Sequence, residues 1–231
     1  MTKFDNNKNK SLKNNKWSQL TNELDTEQTK LISFDDTLIR DIGEITGKEI
    51  LDYGSGAGII AKKLQDLGAN IKAYDISPEM LNLTAEKIGI ENIYFNLEDI
   101  PENHFDIIVC SLVLCIVNES EVSKICFAIN RILNKKGIAY FGFCNPKIFQ
   151  IKESQLDYRI PTGNLYSEIH TYEKVKKEGN YKLFERHRPI EWYENIFKKN
   201  GLKVTEIFFT PEYSLLGNKI NDFIIFKTEK E

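Results

Sequence analysis

Between residues 52 and 58 the chain reads Asp-Tyr-Gly-Ser-Gly-Ala-Gly, and about 20 residues beyond Gly54 a second carboxylate, Asp75, closes a short apolar run. Glycines at this density let a backbone turn tightly and let a ligand approach the main chain with no Cβ in the way. Backbone N–H groups at the start of a helix favour negative charge. An acidic residue at the end of the next strand can accept both hydroxyls of a ribose. Residue types and spacing therefore point to a nucleotide-type ligand. A dinucleotide site wants GxGxxG, with its third glycine where this chain has Ile59; the sequence offers GxGxG, at Gly54, Gly56 and Gly58. A glycine turn with no ligand is the plainer alternative. The strand before it, the helix after it and the acid at the correct distance weigh against that.

The remaining chemistry-bearing residues are sparse. Of the three histidines, His104 sits in the loop sequence PENHFD and reads as solvated. His170 and His187 are the candidate proton acceptors, although His187, just before Arg188-Pro189, reads first as a residue that holds a backbone group at a helix entrance. Arg159, Arg186 and Arg188 are candidates to hold a carboxylate or phosphate, beside a tyrosine series at 158, 166, 172 and 181. The four cysteines, at 110, 115, 126 and 144, form no CxxC pair, and no histidine lies at zinc-finger spacing. They read as free buried thiols in a reducing compartment, and no metal site is expected.

The elements that must position these residues alternate. EILDY (49–53) reads as a strand, IIAKKLQDLG (59–68) as an amphipathic helix and NIKAYD (70–75) as a strand. SPEMLNLTAEKIG (77–89) is a helix opened by an N-cap Ser and a first-turn Pro. NIYFN (92–96), FDIIVCS (105–111) and GIAYFGFC (137–144) read as strands, with a helix over 119–134 between the last two. Such alternation demands a parallel sheet with helices on both faces. The rhythm breaks after Pro146. It resumes with a helix over 190–201 and strands over 202–210 and 222–228, which suggest a closing antiparallel hairpin. Upstream, helices are expected near 16–24 and 34–42. Residues 1–16, mostly Lys and Asn, read as a flexible tail.

LDYGSGAG, the strand end at Asp75, FDIIVCSLVLCIV (105–117) and LNKKGIAYFGFCNP (133–146) together resemble the class I S-adenosylmethionine-dependent methyltransferases, nearest to their small type 11/12 group. The resemblance covers residues 48–146 well and 187–228 more loosely. It implies an α/β, Rossmann-like, seven-stranded mixed sheet of order 3-2-1-4-5-7-6 with strand 7 antiparallel. The domain would run over 17–231, with an insertion or cap at about 147–188 on the substrate side.

The implied cofactor is S-adenosyl-L-methionine. By resemblance Asp52 sits by the methionine amino group, and Gly54, Ser55 and Gly56 line the methionine and ribose. Gly58 lets the helix pack close, Asp75 holds the ribose hydroxyls and Ile76 lies against the adenine. Where the family shows Gly-Asp-Ala, this chain has Phe95-Asn96-Leu97; the Asn96 amide oxygen can accept from the adenine amino group, with the Leu97 backbone facing the ring. Cys110 and Ser111 end the fourth strand beside the sulfonium, and Trp17, on a short N-terminal helix, closes over the donor. For Cys110 plain core packing is an equal reading.

The fourth strand lacks the Asn/Asp-Pro-Pro-aromatic motif of nucleic-acid amino-methyltransferases. The net charge is −3, against a partner held by its phosphates. A small-molecule acceptor, no nucleic acid and no membrane are expected, in a cytoplasmic protein; no apolar run is long enough to span a bilayer and the Lys/Asn-rich start is no signal peptide. Two alternatives stand beside this reading: an NAD(P)-dependent oxidoreductase, and a protein that binds S-adenosylmethionine without catalysis.

Overall fold

A computed structural model describes residues 28–150, 158–159, 165–175, 182–215 and 217–231. The helix expected near 16–24, and Trp17 with it, lies outside the described residues.

Seven strands form the main sheet: β1 (Glu49–Tyr53), β2 (Asn70–Tyr74), β3 (Ile93–Tyr94), β4 (Phe105–Ser111), β5 (Leu133–Cys144), β6 (Leu202–Phe209) and β7 (Phe223–Lys230). Their order is β3-β2-β1-β4-β5-β7-β6. β1 to β5 pair in parallel, and β7 runs antiparallel to both β5 and β6. This is the topology expected from the sequence. Among the described residues five α-helices flank the sheet: α1 (Gln28–Ile42), α2 (Ile59–Asp66), α3 (Pro78–Ile88), α4 (Glu119–Ile132) and α5 (Ile190–Lys199).

β4 and the second half of β5 are apolar at almost every position because both faces of the sheet are covered there. Alternate side chains go to opposite cores. Ile50, Ile107 and Val109 join Phe34 and Leu38 of α1, and Ala61 and Leu64 of α2, on one side. Leu51, Tyr53, Ile108 and Cys110 join Val122 and Ile129 of α4, and Tyr193 and Phe197 of α5, on the other. Local signals fix the helix starts. Ser77 Oγ accepts from Met80 N, with Pro78 in the first turn. Asn118 and Glu121 form a reciprocal capping box at the start of α4.

Differences from expectation are local. β3 is two residues long rather than five, and β5 begins at Leu133, directly out of α4, rather than at Gly137. The cap, which had no assigned strands, carries a three-stranded antiparallel sheet of Tyr158–Arg159, His170–Val175 and Lys182–His187. A further hairpin, Tyr213–Leu215 with Asn218–Ile220, precedes β7. Both are built of short strands that carry charged or polar residues, so hydrophobic alternation does not announce them.

Candidate active site

The parallel strands all point their C-terminal ends to one edge, and the glycine turn lies there between β1 and α2. Gly54 N and Ser55 N both donate to Tyr74 O, at 2.7 and 3.1 Å, which ties the turn to the end of β2. Two glycines are sterically required. A Cβ on Gly54 would lie 2.3 Å from Val113 Cγ2, and one on Gly58 would lie 2.9 Å from Thr84 Cα; both residues have positive φ. Gly56 differs, because its φ is also positive but nothing lies within 4 Å of where its Cβ would stand. The turn is thus packed at both ends and open in the middle, where a ligand would approach.

Asp75 lies against this opening. Its carboxylate accepts from Gly56 N at 2.9 Å and from Ser77 N at 2.9 Å, and burial pushes its pKa up. Asp52 is buried at the end of β1, 2 % exposed, and its Oδ2 has no hydrogen-bond partner among the described residues. Burial first, and the Asp75 charge second, push its carboxyl up to about 7. One strand over, Ser111 Oγ at the end of β4 is also buried without a partner. Two orphaned polar atoms at one sheet edge need an explanation, and a polar ligand crossing the ends of β1 and β4 supplies it.

Ile76 is 66 % exposed and Phe95 52 % exposed, apolar surfaces flanking the same edge. Asn96 is exposed; its Nδ2 donates to Asp99 Oδ2 at 2.8 Å, and its amide oxygen has no partner among the described residues. Leu97 is half-buried at the start of a 3₁₀ turn. Cys110 is fully buried in the core, its thiol pushed well up by burial, so its side chain is packing and only its backbone can reach the edge.

Two residues missed in the sequence brace the site. Thr84 Oγ1 donates to Gly56 O at 2.9 Å and lies 3.2 Å from Ser55 Oγ, so α3 holds the turn from behind. Leu112, directly after β4, takes φ 59, and its N–H donates to Gly142 O at 2.7 Å. A leucine in the left-handed region is an outlier, and such strain concentrates at functional sites. Neither is visible in one sequence, since a threonine on a helix and a leucine after a strand are ordinary.

The cap residues behave differently. Arg188 is fully buried and entirely engaged, by Glu119 Oε1 at 2.9 Å, Leu114 O at 2.8 Å, Val117 O and Tyr193 Oη. It cannot hold a ligand anion, which corrects the expectation; it clamps the loop after β4 instead. His187 is buried, and its Nε2 lies 2.7 Å from Tyr166 O, so Nε2 carries the hydrogen and donates. Nδ1 is then the only ring atom that can take up a proton. The rings of His187 and His170 stack at 4.8 Å, and burial lowers the pKa of both. On the same face of the cap ladder Tyr172 Oη donates to the buried Glu185 at 2.6 Å. His104 is exposed and faces Glu49, as a solvated residue. The four cysteines are free and buried.

Residues 51–141 match the family model for a methyltransferase domain, spanning the glycine turn, Asp75 and the ends of β4 and β5. Over that segment the chain is similar to methyltransferase domains, and its fold is that of the S-adenosylmethionine-dependent methyltransferases. It is 29% identical over 114 residues to a demethylmenaquinone methyltransferase of Tropheryma whipplei, covering 47% of each chain. It is 32% identical over 95 residues to a ubiquinone biosynthesis O-methyltransferase of Shewanella pealeana, covering 36% of this chain and 39% of that one. The matched segment thus spans about half or less of these curated relatives. Among solved structures, an S-adenosylmethionine-dependent methyltransferase from Clostridium acetobutylicum superposes with a TM-score of 0.64 at 16% identity, over 93% of this chain and 97% of that one. At that identity the likeness is one of fold. Among the described residues no helix is long and apolar enough to cross a membrane.

Proposed function

We propose that this protein transfers a methyl group from S-adenosylmethionine to a small-molecule acceptor, and that the edge formed by Asp52, Gly54–Gly58, Asp75 and Ser111 is its donor site. The buried, unpartnered Oδ2 of Asp52 carries the reading: an isolated buried carboxylate is costly, and a ligand ammonium is the group that offsets it. Asp75, already fixed by two backbone N–H groups, presents its remaining lone pairs to ribose hydroxyls. Gly56 leaves room for the ligand, and Ile76 and Phe95 offer apolar surface to a purine. Asn96 accepts from the adenine amino group, beside the Leu97 backbone. When bound, the donor supplies an already activated methyl on a neutral leaving group, so the protein's task is mostly alignment.

Alignment falls to the ends of β4 and β5 and to the loop that Arg188 clamps. If the acceptor keeps its proton at neutral pH, His187 Nδ1 or His170 is the group to take it. The relatives' names, demethylmenaquinone methyltransferase and ubiquinone biosynthesis O-methyltransferase, support a small-molecule acceptor. The net charge of −3 speaks against nucleic acid.

Titration calorimetry of S-adenosylmethionine, S-adenosylhomocysteine and NAD against the purified protein tests the donor half. We expect the first two to bind and NAD not to. Binding of NAD alone would favour the oxidoreductase alternative and sink this assignment.

A further inference from the structure

Three buried carboxyl groups from three elements act on one another at the donor edge. Asp52 lies in β1, Asp75 follows β2 and Asp35 belongs to α1. Lys63 of α2 is the cation paired within this group, its Nζ donating to Asp35 Oδ2 at 2.8 Å. Asp75 accepts from two backbone N–H groups, at Gly56 and Ser77. Asp52 is held least. The Ala61 N–H, in the first turn of α2, reaches its carboxyl, but its Oδ2 has no partner among the described residues. At 2 % exposure, water does not replace one.

These surroundings decide the state of the empty site. A carboxylate buried without a partner is far costlier than the neutral acid. Like charge from Asp75 on the β2 side and from Asp35 on the α1 side adds to that cost. On the β4 side the Cys110 thiol is kept neutral by burial and offers no compensating cation. Lys63, on α2, is committed to Asp35. The Ala61 N–H alone favours the ion, and it is outweighed, since the Asp52 carboxyl is pushed up to about 7. The empty site therefore holds a proton on Asp52 at and below neutral pH. An ammonium arriving at Oδ2 reverses the balance, because an opposite charge in contact favours the carboxylate.

We infer that the donor enters by charge exchange: as its ammonium reaches Asp52 Oδ2, the Asp52 carboxyl gives up its proton to bulk water, so that donor capture and proton release are one event. This rests on the donor site proposed above and adds its control by pH. The bond that breaks is the O–H of Asp52; the ligand keeps all three ammonium protons, and no bond to it forms. One positive charge leaves as another arrives, so the buried acidic cluster keeps its net charge. The occupied site holds fewer protons than the empty one in this window, and donor affinity must therefore rise with pH until Asp52 is ionised in both states.

Calorimetric titration with S-adenosylhomocysteine in phosphate, PIPES and imidazole, buffers that differ in heat of ionisation, counts the protons. This probe carries the same ammonium as the donor. We expect about one proton released per ligand bound at pH 6, and an affinity roughly fivefold to tenfold higher at pH 7 than at pH 6. Asp52→Asn cannot ionise: it should release no proton, show the same affinity at both pH values and bind more weakly than wild type at pH 7. Asp75→Asn removes one like charge, so release should persist with its midpoint moved to lower pH. The wild-type count stands by itself if a variant does not fold. Binding heats independent of buffer at pH 6, or a release that survives in Asp52→Asn, overturns the inference and leaves the donor site standing. Failure of S-adenosylhomocysteine to bind at any pH refutes the donor site and this inference with it.

Discussion

The glycine turn follows β1 and the cap junction packs on the loop after β4, at the same end of the sheet, and they are built on opposite principles. The turn is held by main-chain bonds, to Tyr74 O and Asp75, and leaves side-chain groups unsatisfied at Asp52 Oδ2 and Ser111 Oγ. At the cap junction three buried polar side chains are satisfied from the protein: Arg188 on Glu119 and two carbonyls, His187 on Tyr166 O, Tyr172 on Glu185. A polar group left unmet in a buried place waits for a ligand, whereas one that is met is structure. By that criterion the donor edge is chemistry, and much of the cap is architecture that shapes the loop after β4.

The largest expected effect tests the architectural half. Arg188→Met keeps the length of the side chain but orphans Leu114 O and Val117 O and releases Glu119. Breaking such a buried set should cost about 3–5 kcal/mol, read as a shift of the urea midpoint. A shift below about 1 kcal/mol would mean the clamp is incidental and the contrast between the two regions is false.

Asp52 tests the other half, and the sign is opposite. Its folded pKa is raised from 3.8 to about 7, so between those values the folded state holds a proton that the unfolded state has lost. Stability of the ligand-free protein therefore falls as pH rises through that window, by up to roughly 4 kcal/mol. Asp52→Asn should remove the slope. It should raise the Tm at pH 8 and change it little at pH 4, while S-adenosylhomocysteine binding weakens at pH 8. A variant less stable than wild type at pH 8 would show that Asp52 is satisfied internally.

Asp75→Ala comes next. It removes a charge-assisted acceptor for two hydroxyls and should cost ~1.5–3 kcal/mol of S-adenosylhomocysteine affinity by calorimetry. Because Asp75 also accepts from Gly56 N and Ser77 N, Asp75→Asn sharpens the result, since it keeps an acceptor and should lose less. Unchanged affinity in a folded Asp75→Ala protein would move the donor elsewhere.

The same contrast explains what one sequence reveals. Backbone demands are written in residue type: Gly54 and Gly58 must be glycine for φ and for Val113 and Thr84, and alternating apolar runs fix β1, β2, β4 and β5 between two helical layers. A parallel sheet and a closing antiparallel pair were legible on that basis, whereas the strand order came from the family resemblance. Side-chain pairings across long sequence separations are not written locally. Arg188 with Glu119, or Thr84 behind Gly56, requires the fold before it can be seen. The cap strands were missed because they are short and carry charged residues, and an arginine that looked like an anion receptor is a buried clamp. Leu112 in the left-handed region has no sequence signature.

The smallest effect separates the two roles of His187. Its pKa is lowered by burial, with His170 beside it contributing in the same direction. Below the ordinary histidine pKa the unfolded state binds a proton that the folded state refuses, so wild-type stability should fall as pH drops below about 6.5. His187→Asn should flatten that part of the Tm–pH curve, because a neutral amide can still donate to Tyr166 O. Donor affinity should change by less than threefold, under ~1 kcal/mol, since the donor contacts proposed above come from the ends of β1, β2 and β4 and from the segment after β3. Methyl transfer distinguishes structure from catalysis once an acceptor is in hand. A base acting through Nδ1 gives a rate that rises with pH through its own ionisation, and His187→Asn loses that limb together with ~100–10,000-fold in rate. A purely structural histidine leaves the pH profile in place and shows itself only in the Tm. Loss of donor affinity together with activity would put the cap inside the donor pocket and erase the division between the two regions.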